Sequence, residues 1–66
     1  MPMMSPYMIR WDPVSRLWRL EDLDGPLRDR QGCLFGWRED DYAGADTARA
    51  CLDAGRAIPR EGLVYS

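Results

Sequence analysis

Two alternating, aromatic-rich runs, Tyr7-Met8-Ile9-Arg10-Trp11 and Arg16-Leu17-Trp18-Arg19-Leu20-Glu21, are separated by Asp12-Pro13-Val14-Ser15. Pro at the second place of such a tetrapeptide presets φ for a type I turn, and Asp at the first can bond the backbone ahead of it. The spacing therefore predicts a β-hairpin, and an early hairpin dictates much of what so short a chain can become. Sixty-six residues fit one small domain, 1–66, with a flexible N-terminus over 1–6. A domain of this size buries only about 60% of the surface its unfolded chain exposes, so its core is thin.

A second turn signal follows at Asp24-Gly25-Pro26, and a polar stretch from Leu27 to Gly32 leads to Cys33-Leu34-Phe35-Gly36-Trp37-Arg38. Cys33, Phe35 and Trp37 share one face at period two, which predicts a third strand and an antiparallel meander. Gly44 then reads as a break, with Asp46 as the N-cap of a helix over Thr47 to Ala54 and Gly55 at its C-terminal cap. Ala48, Cys51, Leu52 and Gly55 form a narrow stripe at i, i+3, i+4 and i+7 that can approach a sheet closely. The predicted fold class is α+β: a three-stranded antiparallel β-meander packed on one α-helix (β-β-β-α). Leu63-Val64-Tyr65 supplies a short fourth strand or an apolar tail. The expected core is Ile9, Trp18, Leu20, Phe35 and Trp37, with Cys51 and Leu52 above them.

Composition removes most chemistry. The chain has no His, Lys or Asn, so it lacks a side chain whose ordinary pKa lies near neutrality, a Schiff-base amine and a phosphate-loop lysine. Ser5, Ser15 and Ser66 have no His or Lys to activate them, and the length leaves little volume for a substrate pocket. Neither an enzyme nor a cofactor is expected. Asp22-Leu23-Asp24-Gly25 superficially resembles a calcium loop, but the Gly stands fourth rather than sixth and the terminal Glu is missing, so no metal site is expected. Cys33 and Cys51 lie eighteen positions apart and are expected to be reduced. The apolar runs are too short to span a bilayer, and Met1-Pro2-Met3-Met4-Ser5-Pro6 has no leader character, which predicts a cytoplasmic protein.

The formal net charge of −2 divides unevenly. Residues 1–38 hold six Arg against five acids, whereas residues 39–66 hold three Arg against six acids, and Glu39, Asp40, Asp41 and Asp46 cluster where the last strand meets the helix. Such a cluster, with Tyr42 as an apolar anchor among the acids, can steer association with a basic partner surface. Acids near a helix N-terminus also stabilise the helix whatever its function. On the strands opposite the core, Arg10, Arg19 and Arg38 fall one to a strand. Three Arg on a helix-backed sheet resemble plant GCC-box domains and the arm-binding domains of phage integrases, which implies an alternative nucleic-acid-binding face. The acidic balance and the interleaved Asp12, Glu21 and Asp29 instead favour cross-strand ion pairs on a solvated face, with no binding of free DNA.

In size, mild acidity, absence of catalytic residues and compact αβ layout, the chain resembles small phage-encoded inhibitors of the anti-CRISPR type. That resemblance implies a non-enzymatic inhibitor that covers a basic, nucleic-acid-binding surface on a bacterial protein or ribonucleoprotein complex inside the host cell. Alternatives are a DNA-binding or transcription-accessory module, and an oligomerisation module whose thin core a second copy completes. The partner is thus a basic macromolecular surface and not a membrane, and the protein itself is a monomer or homodimer.

Overall fold

The hairpin forms as its turn chemistry dictates. In the computed structural model, which describes residues 5–64, β1 (Met8–Asp12) pairs antiparallel with β2 (Leu17–Asp22). The register sets Ile9 opposite Leu20, Arg10 opposite Arg19 and Trp11 opposite Trp18. Asp12 closes the turn twice over, accepting the Val14 N–H at 3.0 Å and the Ser15 hydroxyl at 2.7 Å through its two carboxylate oxygens. These bonds, the Ser15 hydroxyl first, hold the Asp12 carboxyl below the ordinary aspartate value of 3.8. The Arg16 N–H returns to the Asp12 carbonyl at 2.8 Å, leaving Arg16 in the left-handed region at φ 59°.

The third strand departs from the expected Cys33–Arg38 segment. The turn after β2 is Leu23-Asp24, so Gly25 and Pro26 themselves pair with Asp22 and Glu21 as β3 (Gly25–Pro26). The chain then leaves the sheet after the Leu27 N–H donates to the Leu20 carbonyl, and rejoins it only at β4 (Trp37–Arg38), opposite Trp18 and Leu17. Within the excursion, Asp29 accepts the N–H groups of Gln31 and Cys33, and a single bridge joins Arg28 to Leu34. Cys33 to Phe35 do not continue the ladder on β2: the Cys33 carbonyl accepts the Asp29 N–H at 2.9 Å, and Arg19 Nη1 donates to the Phe35 carbonyl at 3.1 Å and to that of Leu34 at 3.5 Å.

The helix α1 (Tyr42–Asp53) starts earlier than expected. Asp41, not Asp46, is the N-cap, accepting the Gly44 N–H at 3.1 Å. Gly44 is no break. A Cβ there would lie 2.8 Å from the Trp37 ring and 2.6 Å from the Asp41 carboxylate, so glycine lets the first turn settle onto the core. The earlier start also buries Ala45 one turn before Ala48. At the other end, Gly55 adopts φ 71° while its N–H reaches the Leu52 carbonyl and that of Arg56 reaches Cys51. This paired bonding is the Schellman closure that a left-handed residue permits.

The architecture is therefore α+β, with one helix against an antiparallel sheet. Leu63 bridges Trp37, and the Val64 N–H donates to the Gly36 carbonyl at 2.7 Å, extending the sheet by one short lane. Tyr65, included in that expected strand, lies outside the described residues, as do Met1 to Met4 of the expected flexible N-terminus. Ser5 is held, its hydroxyl donating to Asp53 at 2.7 Å. Leu20, Trp37, Ala45 and Ala48 are the buried core. Ile9, Trp18, Phe35 and Leu52 pack around it incompletely covered, Leu63 joins them from the closing segment, and Leu27 and Ile58 do so without having been expected. Cys33 and Cys51 are free and half-buried.

Candidate partner-binding site

The junction between β4 and α1 gathers the acidic residues singled out in the sequence, but it assigns them different work. Asp41 caps the helix, and its carboxylate packs between Gly44 and Gly62. Asp46 lies inside the helix and gives its charge to Arg49, whose guanidinium approaches at 2.9 Å and also reaches Asp53 at 3.0 Å. The bond to Asp46 raises the Arg49 pKa, as expected for a cation held between two carboxylates. Glu39 and Asp40 remain on the outside of the turn. Glu39 stands 3.8 Å from Arg16 with both side chains largely in solvent, a contact of little energetic weight.

Tyr42, at the first helical position, is 49% exposed and stands edge-on to Trp18, with ring centroids 5.0 Å apart at 81°. Trp18 in turn meets Trp11 at 5.1 Å and 64°, so three rings from two strands and the helix form one continuous file. Each such edge-to-face contact contributes on the order of 0.5–1.5 kcal/mol beyond burial. The Trp18 indole N–H donates to the Glu39 carbonyl at 3.0 Å, which ties the file to the acidic turn. A rigid aromatic strip beside exposed carboxylates suits the capture of a flat cationic group or the stem of a long basic side chain. Sequence reasoning placed Tyr42 here but missed Trp11 and put Trp18 wholly in the core. The signal was available: a four-residue loop closed by Asp12 and Leu17 sets Trp11 opposite Trp18.

The three Arg of the alternative face stand in different surroundings. Arg10 and Arg19 do lie on the sheet face away from the helix, with Arg38 beyond Leu17 on the same side. Arg19, however, is only 5% exposed, with its guanidinium on backbone carbonyls and its Nε 3.7 Å from Asp12. Arg10 pairs with Glu21 at 3.4 Å. Arg38, exposed like Arg10, borders the same shallow depression as Asp40. Among the described residues, Arg38 is thus the member of the three that makes no ion pair.

Ser15 is committed to Asp12 and Ser5 to Asp53. Among the described residues no cluster of three metal-ligating side chains occurs, and no helix is long and apolar enough to cross a membrane. The junction sets exposed carboxylates beside a half-exposed aromatic ring. No protein-family model, curated protein or solved structure matches this chain.

Proposed function

We propose that this protein is a non-enzymatic, stoichiometric inhibitor that occupies a basic, nucleic-acid-binding surface of a bacterial protein or ribonucleoprotein complex in the host cytoplasm, in the manner of the anti-CRISPR proteins it resembles. The observation that carries the reading is the half-exposed Tyr42, held rigid against Trp18 beside the outward-facing carboxylates of Glu39 and Asp40. Pre-ordered aromatic anchors lose little entropy on binding, and flanking acids select a cationic partner while speeding the encounter. Asp41, as the N-cap, and Asp46, paired with Arg49 yet exposed, add to the same negative surface.

The test is affinity capture from bacterial lysate with the native protein and with the double variant Glu39→Arg/Asp40→Arg, read by mass spectrometry, with both thermal midpoints measured alongside. The reading requires a partner that the native protein retains and the variant loses at an unchanged midpoint. Equal retention by both proteins rejects it, as does a salt-sensitive shift of free duplex DNA by the native protein.

A further inference from the structure

The core is left open at the end of α1 away from the acidic junction. Leu27, Phe35, Leu52, Ile58 and Leu63 all pack on the buried cluster yet stay only half-buried, and together they floor an open groove of about 680 Å³. The excursion between β3 and β4 forms one wall, and the chain beyond the helix forms the other. Around this apolar floor stand Arg28, Arg30, Arg56 and Arg60, all exposed. Arg28 is tethered to the Gly32 carbonyl at 2.6 Å, while Arg30, Arg56 and Arg60 have no ion pair among the described residues. The two acids lining the groove are engaged in turns: Asp22 accepts the Asp24 N–H, and Asp29 accepts those of Gln31 and Cys33. Four of the nine Arg of a net acidic chain thus ring one apolar trough.

We infer that this groove binds an acidic peptide segment of a partner protein, with apolar side chains of the segment seated on Leu27, Leu52 and Ile58 and flanking carboxylates on Arg30, Arg56 and Arg60. Charge complementarity selects the occupant. An uncharged apolar segment would leave the guanidinium rim unanswered, and a basic one would be repelled by it. The floor is chiefly aliphatic, whereas single-stranded nucleic acid is held by stacking on exposed rings. The volume lies within the range of sites that enclose a few side chains rather than a folded face. Leu52 lies about 15 Å along the helix from Tyr42, and although Leu63 borders both the groove and the depression at Asp40 and Asp41, no acidic-junction residue lines the groove, so this inference does not depend on that junction.

The experiment is an amide chemical-shift titration of the full chain with two synthetic peptides of about a dozen residues. Both carry Leu and Phe at the centre; one is flanked by Asp and Glu, the other by Lys and Arg. The acidic peptide should shift Leu27, Leu52 and Ile58 and leave Glu39 and Tyr42 in place, and it should bind at least about tenfold more tightly than the basic one. Arg30→Glu with Arg60→Glu should weaken it by at least about tenfold at an unchanged thermal midpoint, with Arg30→Gln/Arg60→Gln as the milder pair should the reversal disturb folding. Equal binding of the two peptides, no shifts with millimolar acidic peptide, the same residues shifting with oligo-dT, or their shifting with protein concentration alone would each overturn the assignment.

Discussion

The two edges of β2 carry the same kind of residue to different ends. Along one edge β1 pairs without interruption; along the other, β3 and β4 touch only its ends, with a folded excursion between them. Arg10 and Arg19 stand directly opposite each other, a like-charge juxtaposition that costs stability if both guanidinia stay in register. They separate along diagonals. Arg10 turns to Glu21 and to solvent, while Arg19 turns toward Asp12 and the Phe35 and Leu34 carbonyls and is buried. A strand neighbour can stay regular only where it need not supply acceptors to a buried cation. The irregular edge is the place where the chain does so.

The largest expected effect tests which edge holds the molecule together. Trp37, on the irregular edge, is 1% exposed, and Trp37→Ala should cost about 3–5 kcal/mol, comparable to the whole stability of a domain this small. Thermal unfolding followed by circular dichroism should lose its cooperative transition, whereas Trp11→Ala on the regular edge should keep one; the reverse result would invert the comparison. Next, Arg19→Met should lower stability by about 1–3 kcal/mol by stranding two carbonyls, against less than about 1 kcal/mol for Arg10→Met. Matching urea midpoints for the two variants would erase the distinction between the edges.

Gly44→Ala sharpens the same point. Helix propensity alone favours the change by about 1 kcal/mol, but crowding against Trp37 and Asp41 should outweigh it and leave a net loss of about 1 kcal/mol. A raised midpoint would mean that the first helical turn does not press on Trp37. On the regular side, Arg16→Gly should stabilise the protein by about 0.5 kcal/mol by relieving the left-handed backbone at the hairpin loop, and an unchanged urea midpoint would contradict that. The smallest effect is confined to acid. Because folding lowers the Asp12 pKa, its contribution is complete above the ordinary aspartate value and fades as pH falls through the folded one. Replacing Asp12 with Asn should therefore flatten the stability profile below about pH 4 and leave its shape above that unchanged.

Local chemistry was legible wherever a residue acts on its immediate neighbours. Asp12 and Pro13 announced the hairpin, Gly55 announced the helix end, and period two placed Arg10 and Arg19 on the face away from the helix. Two of the misreadings trace to contact between residues apart in sequence, at Gly44 and at Cys33 to Phe35; the helix cap was a local choice between two acids. Gly44 looked like a break because the ring it must accommodate belongs to Trp37, and Asp46 looked like the cap because Asp41 seemed one of a row of surface acids. Cys33 to Phe35 alternate like a strand, yet the Leu34 and Phe35 carbonyls accept from Arg19, fifteen and sixteen residues away. At the junction of β4 and α1 the sequence showed which acids lie close together and not their separate contacts: Glu39, Asp40 and Tyr42 are exposed, Asp41 caps the helix, and the exposed Asp46 pairs with Arg49.

Asp41 has a wider reach than its capping bond implies. Its carboxylate fills the space between the first helical turn at Gly44 and the segment at Gly62, the Trp37 ring lies beside both glycines, and the Trp37 backbone bridges Leu63. Helix ends and chain tails ordinarily fray on their own, each exchanging its amides with solvent at little cost. At this corner the two share one buttress, so opening either undoes the other, and a segment that would otherwise melt first is bound into the global unfolding unit.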